Sequence, residues 1–566
     1  MKRASYPSIV RPVNMNRHIA TLVALMIVAA QGFGQAAMEQ VGTTFQRTSK
    51  NMSGDVFAVT AGVLVNDKEG VLYVEDDLTP KLVRVDQQMN IAEEVSLKDH
   101  SFDGLLWTSI TPFIADGDLR CLIASNTKKT TEFAIGQVDT RGALALNTLR
   151  RVASSEILFK NDPANTLPYR PQPDPILFSQ GLQYALNERI VAAADGEHYL
   201  INTFTTNGKG NKRFWYSYLD KEFTELWSGT AELPYPDEPS RIHQISLAND
   251  GTIHLMTYVF PCGAEERKAD KLCHEVHLTT LTDRGKTVSD VLVDKDFVSS
   301  ARMCERAEGR VSMAIRYGSL TGQPGVVVTF DPADPKLKTT PVVDQRIPSI
   351  HKTKLMAYGA IETGAKKTTT SRNAKVPDEI VALLPGWNDG LVVVETFLET
   401  NYQIPMGDAI FIRRLAGDIR TSLIGTNDTI QWQHIAERAF MTTAGQSYDG
   451  VNVHLHDKGL TLLYDHTPRG LATIDRSGEV DAPEGEGKKG KKDKAMAPAE
   501  SGVLRATTLD PRGNVVASGT ALIHPDGLMP CPVGAVPGSD GTYIVKTFDR
   551  STGYGFVRIN ALAVGE

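Results

Sequence analysis

Apolar and β-branched residues come in short runs along this chain, and eight of these runs start directly after an acidic residue followed by glycine. The pairs are Glu69-Gly70 before VLYVED, Asp116-Gly117 before DLRCLIAS, Asp195-Gly196 before EHYLINTF and Asp250-Gly251 before TIHLMTYVF. They continue with Glu308-Gly309 before RVSMAIRYG, Asp389-Gly390 before LVVVETF, Asp449-Gly450 before VNVHLH and Asp540-Gly541 before TYIVKTF. Asp-Gly pairs supply the positive φ angles that tight hairpin turns require, so each pair predicts a turn between two antiparallel strands. No window has convincing apolar recurrence at three-and-four spacing, and helices are not expected.

A second turn type alternates with the first. Asp139-Thr-Arg-Gly142, Asp283-Arg-Gly285, Asp475-Arg-Ser-Gly478 and Asp510-Pro-Arg-Gly513 each follow one strand-like run and precede a weaker one. Two alternating turn types describe a four-stranded meander repeated along the chain, which is the unit of a β-propeller. The expected fold is therefore all-β: a single β-propeller of four-stranded blades, with eight blades as the first reading and seven as the second. The irregular repeat at Asp449-Gly450 leaves the number open, because Asp457-Lys458-Gly459 before LTLLYD competes for the same turn. Two stacked β-sandwiches are the alternative architecture, since short, evenly spaced strands serve both. Only 25 residues follow Gly541, too few for a full last blade, so Thr43 to Thr48 or neighbouring residues are expected to complete it and close the ring.

Three spacings between the turns are long, and they predict insertions. Residues 160–185 are proline-rich, 352–375 are rich in threonine and lysine, and 477–501 contain the low-complexity run EGEGKKGKKDK, which cannot bury apolar area and is expected to be disordered.

The N-terminus changes the compartment. Lys2, Arg3, Arg11 and Arg17 precede an apolar run, Ile19 to Ala30, that is too short to span a bilayer. This is the layout of a signal peptide over residues 1–36, with cleavage after Ala36 and a propeller domain over 37–566. An uncleaved anchor is the alternative. Secretion, or a periplasmic or cell-envelope location, follows, with no transmembrane segment after cleavage. The whole chain carries 60 Lys and Arg against 67 Asp and Glu, a net charge of −7. The signal removes four basic and no acidic residues, so the mature chain is more acidic still, and a nucleic-acid partner is not expected. A monomer is expected.

Export also permits disulfides. Cys262 and Cys273 flank a charged loop between two strand-like runs and are predicted to form one, while Cys121 and Cys304 lie inside apolar runs and read as small core residues. No catalytic, cofactor or metal residue is nominated. Gly485, Gly487 and Gly490 have the spacing of a dinucleotide-binding turn but stand in the low-complexity insert, with no strand before them and no helix after. Ser447 lacks the context of a nucleophile elbow. His454 and His456 share one face of a strand, but no choice of third ligand among Asp457, Asp465 and His466 is forced. The lysines between Lys488 and Lys494 read as a solvated linker. The functional expectation is an exported, non-catalytic binding or scaffold protein whose long loops recognise a protein or glycan. The alternatives are an extracellular hydrolase or lyase with its site in the central channel, or a structural envelope component.

Overall fold

The computed structural model describes residues 57–561, apart from 159–188, 260–274, 318–324, 342–377, 443–449, 467–502, 524–528 and breaks of one to three residues. Eight of the nine sheets among the described residues are arranged as blades of a β-propeller, over residues 57–96, 109–155, 190–236, 240–294, 298–341, 378–436, 451–523 and 529–560, and the ninth is a two-stranded hairpin, Ser101–Phe102 with Leu105–Leu106, between the first two blades. Within each blade the strands follow one another as an antiparallel meander. Seven blades have at least four strands and the eighth has three. The short last blade agrees with the sequence count, but the N-terminal stretch expected to complete it lies outside the described residues.

The core is divided among the seams between blades. Blades 1 and 2 share a cluster holding Tyr73, Leu82, Leu119 and Ile123, and blades 2 and 3 one holding Phe133, Ile201 and Trp215. Successive seams are filled in the same way. The last cluster joins Val59, Leu72 and Val83 of blade 1 to Cys531, Val536 and Phe556 of blade 8. Eight blades and eight apolar seams make a closed ring, the arrangement that protects strand edges by radial repetition.

Six of the eight acid–glycine pairs fall where expected, between the first and second strands, while in blade 1 Glu69 and Gly70 are paired residues of the second strand itself and the turn precedes them. Asp116 and Gly117 take φ of 53° and 76°, and Gly196, Gly251, Gly309 and Gly541 are also in the positive region. In blade 6 the positive angles move to Asn388 and Asp389, and Gly390 is extended. In blade 7 the competing reading is the correct one: Val451–His456 is joined to Gly459–His466 through Asp457-Lys458, and Gly450 precedes the first strand.

The expectation of a disulfide is corrected. The cysteines among the described residues, Cys121, Cys304 and Cys531, are buried thiols outside any disulfide, and burial pushes Cys121 and Cys304 up to about 12, as suits inert core residues. Cys262 and Cys273 lie outside the described residues.

Candidate functional site: the face of long connections

A four-stranded antiparallel blade sends its connections alternately to two faces of the ring. Links from strand one to two and from three to four reach one face; links from two to three, and from each blade to the next, reach the other. On the first face every link among the eight blades is two to five residues long. On the second lie the links 156–189, 260–274, 342–377 and 467–502. All three insertions anticipated from sequence fall within connections of that second face.

The most extended described element of the long-connection face is a ribbon in blade 6. Its second and third strands, Leu391–Met406 and Ala409–Ile424, have 16 residues each. The first strand stops pairing at Asp378 opposite Phe397, but the other two remain paired from Leu398 with Ala416 out to Met406 with Ala409. At about 3.3 Å per residue the ribbon extends roughly 25–30 Å past the blade. Phe440–Thr442 pairs with Arg414–Ala416 at its base.

Buried charge fixes that base. Glu395 accepts from Arg316 of blade 5 and, at 2.8 Å, from Arg420 of its own blade. All three are almost fully buried. Burial works against the carboxylate charge, yet the two guanidinium groups outweigh it and hold Glu395 below its usual range. Arg438 continues the network into blade 7. Its backbone N–H donates to Asp418 Oδ1 at 2.9 Å, and its side chain donates to the carbonyls of Asp465 at 3.1 Å and Gly450 at 3.3 Å. Such networks add little net stability but penalise any rearrangement that leaves a charge unpaired, so three blades are held in register where the ribbon emerges.

A smaller latch lies on the same face in blade 3. Lys212 is completely buried, ion-paired with Asp237 and donating to the Thr205 carbonyl at 2.9 Å. Asp237 also accepts from Gly208 N–H at 2.7 Å. Burial lowers Lys212 to about 8, with Asp237 opposing the shift. The latch ties the link 205–210 to the crossing into blade 4.

The short-turn face is built from self-contained turns. Asp510 Oδ1 accepts from the backbone of Arg512 and Asn514, and Asp86 from Gln88 and Asn90. Arg306 of blade 5 reaches blade 6, donating to Asp428 at 3.0 Å and to the Asp389 carbonyl at 2.7 Å. Beside it, Glu305 is pushed up to about 7 by burial, then by Asp250 and Asp195.

Along the first strands, which contact one another around the centre of the ring, polar side chains stitch neighbouring blades together. Gln244 binds both the N–H and the carbonyl of Met303, each at 2.7 Å, and Ser300 Oγ accepts from Ile380 N–H at 3.1 Å. His454 and His456 share a face as expected, with ring centroids 5.8 Å apart. Their nitrogens are engaged separately, His454 Nδ1 with Tyr543 at 3.1 Å and His456 Nε2 with Thr461 at 3.3 Å. Among the described residues no group of three His, Cys, Asp or Glu could hold a metal ion, and no helix is long and apolar enough to cross a membrane. Gly485, Gly487, Gly490, Ser447 and the lysine run lie outside the described residues. Arg316, Glu395, Arg420 and Arg438 were not singled out from the sequence; for Arg316 and Glu395 the signal available was a lone charge inside an apolar strand run, whereas Arg420 stands two residues from Asp418 and Arg438 adjoins Glu437.

No protein-family model matches the chain, and no curated protein matches it. Among solved structures it is similar to prolyl oligopeptidase B from Galerina marginata, with 8% identity and a TM-score of 0.38 over 88% of this chain and 55% of that one. A protein of unknown function from Dyadobacter fermentans matches with 11% identity and a TM-score of 0.29, over 77% of this chain and 96% of that one. An acylaminoacyl peptidase matches with 8% identity and a TM-score of 0.31, over 74% and 59%. The chain spans about half the length of the prolyl oligopeptidase. Likeness at this level carries nothing about activity.

Proposed function

We propose that this chain is an exported, non-catalytic binding propeller that contacts a protein or glycan through its long-connection face. One observation carries the reading: the connections of variable length and the blade-6 ribbon share one face, while the opposite face has only short turns. Rigid scaffolds concentrate recognition in loops of this kind. The test is a photoreactive amino acid placed in the expressing organism at exposed positions of either face. Lys129 and Lys209 represent the long-connection face, Lys221 and Arg512 the short-turn face. Adducts with a protein or glycan at the first pair but not the second are expected. Adducts confined to the second pair contradict the proposal.

A further inference from the structure

We propose that His277 is a pH-sensitive clasp in blade 4: as an imidazolium it ties the third strand to the fourth where the link 260–274 re-enters the blade, and loss of one proton to solvent loosens that root. The third strand, Glu275–Thr282, begins on the long-connection face, and Thr287–Asp294 is the fourth. His277 Nδ1 lies 2.8 Å from Asp290 Oδ2 of the fourth strand, and its Nε2 lies 3.3 Å from Oε2 of Glu275, the first residue of the third. A neutral imidazole has one N–H and one lone pair, so between two carboxylates it donates to one and turns a lone pair towards the other. Only the doubly protonated ring satisfies both contacts, and both are then charge-assisted.

The surroundings hold the ring in this position. The pairing of the two strands slips between Val276 and His277, a bulge of the kind that re-aims a side chain. Tyr235, buried on the outer strand of blade 3, lies against the imidazole with ring centroids 5.6 Å apart. Its hydroxyl is 2.9 Å from Thr279 Oγ1, which donates to Asp290 Oδ1 at 2.7 Å, so the clasp also reaches across the seam between blades 3 and 4. Thr257 of the second strand and Leu292 of the fourth stand opposite His277 without charge. Only 13% of the His277 side chain is accessible. Burial works against its charge, yet Asp290 and Glu275 outweigh burial and hold the ring above its ordinary range. The stabilising contribution is therefore complete below the ordinary histidine value of about 6.5 and is lost as pH rises through the raised one. The longer arm, to Glu275, is the one released.

The inference needs only the described strands of blades 3 and 4, and it stands whichever face of the ring makes contacts. The protein labelled with carbon-13 at histidine Cε1 is titrated by NMR, with the His277 signal assigned by its loss in His277→Gln. A midpoint above the ordinary histidine value is expected, and Glu275→Gln, which keeps the ring in place, should bring it down. Hydrogen exchange gives a second readout. Protection of the amides of 275–278, corrected for the intrinsic dependence of exchange on pH, should fall by about tenfold between pH 6 and pH 9 in the parent and stay level in His277→Gln. A midpoint at or below the ordinary value, a midpoint that Glu275→Gln leaves unchanged, or the same loss of protection in parent and His277→Gln each overturns the proposal.

Discussion

The two faces of the ring use the same backbone in opposite ways. On the short-turn face, chain reversals close within five residues, their carboxylates cap their own backbone N–H groups, and they pack into the seams. On the other face, links reach 36 residues at 342–377 and 467–502, and the ribbon base and the link 205–210 are held by buried charge rather than by turn geometry. Insertion in a surface link adds only a slowly growing closure entropy. Insertion in a turn packed into a seam displaces core. The difference teaches that variation can accumulate on one face without loosening the ring.

The fit between turn and seam is visible in the links from third to fourth strand. In blades 1, 3, 4, 6 and 7 the link places a residue with positive φ against the preceding blade, whereas the blade-2 link 140–144 has none. Met89 and Phe223 do so with their own buried side chains, at φ of 61° and 58°, and Asp428, at 59°, receives Arg306. Where the residue is glycine, the preceding blade fills the space instead. Trp432 lies over Gly513 and donates to the Pro511 carbonyl at 3.0 Å, and the Tyr216 hydroxyl sits against Gly285 and donates to the Arg284 carbonyl at 3.0 Å.

The largest effect expected belongs to the long-connection face, at the ribbon's base. Glu395→Ala leaves Arg316 and Arg420 buried as like charges and should cost about 3–5 kcal/mol in urea unfolding. A cost below about 1 kcal/mol would mean that the ribbon does not depend on this network.

Next is the short-turn face. Gly513→Val puts a branched side chain at φ +82°, with a Cβ 2.5 Å from Trp432, and should cost about 2–3 kcal/mol by the same measurement. A neutral outcome would separate turn geometry from seam packing.

A smaller effect is pH-dependent. The Glu305 carboxyl has its folded value raised to about 7 by burial and by Asp250 and Asp195. Its stabilising contribution is therefore complete below the ordinary carboxylate range and is lost as pH rises through about 7. Glu305→Gln should flatten that part of the stability profile and raise stability at pH 8 by about 1–2 kcal/mol, allowing for solvent screening of a half-buried group. An unchanged profile would remove Glu305 from the account.

The smallest effect is expected for deletion of 477–501, which should change unfolding by less than about 1 kcal/mol. A larger loss would assign that insertion a part in the fold.

These contrasts also explain what was legible in the sequence. Six of the turns from first to second strand could be read because an acidic residue and glycine mark them; in blade 1 the pair Glu69-Gly70 lies just inside the second strand, and blade 7 was ambiguous because its turn uses Asp457-Lys458, with Gly450 placed before the first strand. The turns at Met89, Phe223 and Asp428 left no such mark, since side chains filling a seam replaced the glycine that positive φ ordinarily favours. The ionic base was equally hidden. Arg316 and Glu395 stand as lone charges in apolar runs and Arg420 lies two residues after Asp418, and only the adjacency of blades 5 and 6 brings them together. The faces themselves followed from strand parity once the number of strands per blade was known. The extension of the ribbon did not, because LVVVETFLET reads as a strand without indicating where its neighbour stops.

The division of labour between faces is tested most directly by inserting one short Gly-Ser segment at matched described links of both faces. The sites are 127–130 on the long-connection face and 140–144 on the other, the two links that flank the third strand of blade 2. Melting temperatures within about 1 °C of the parent are predicted for the first site and at least about 3 °C lower for the second. Equal losses on both faces, or larger losses on the long-connection face, would contradict that division.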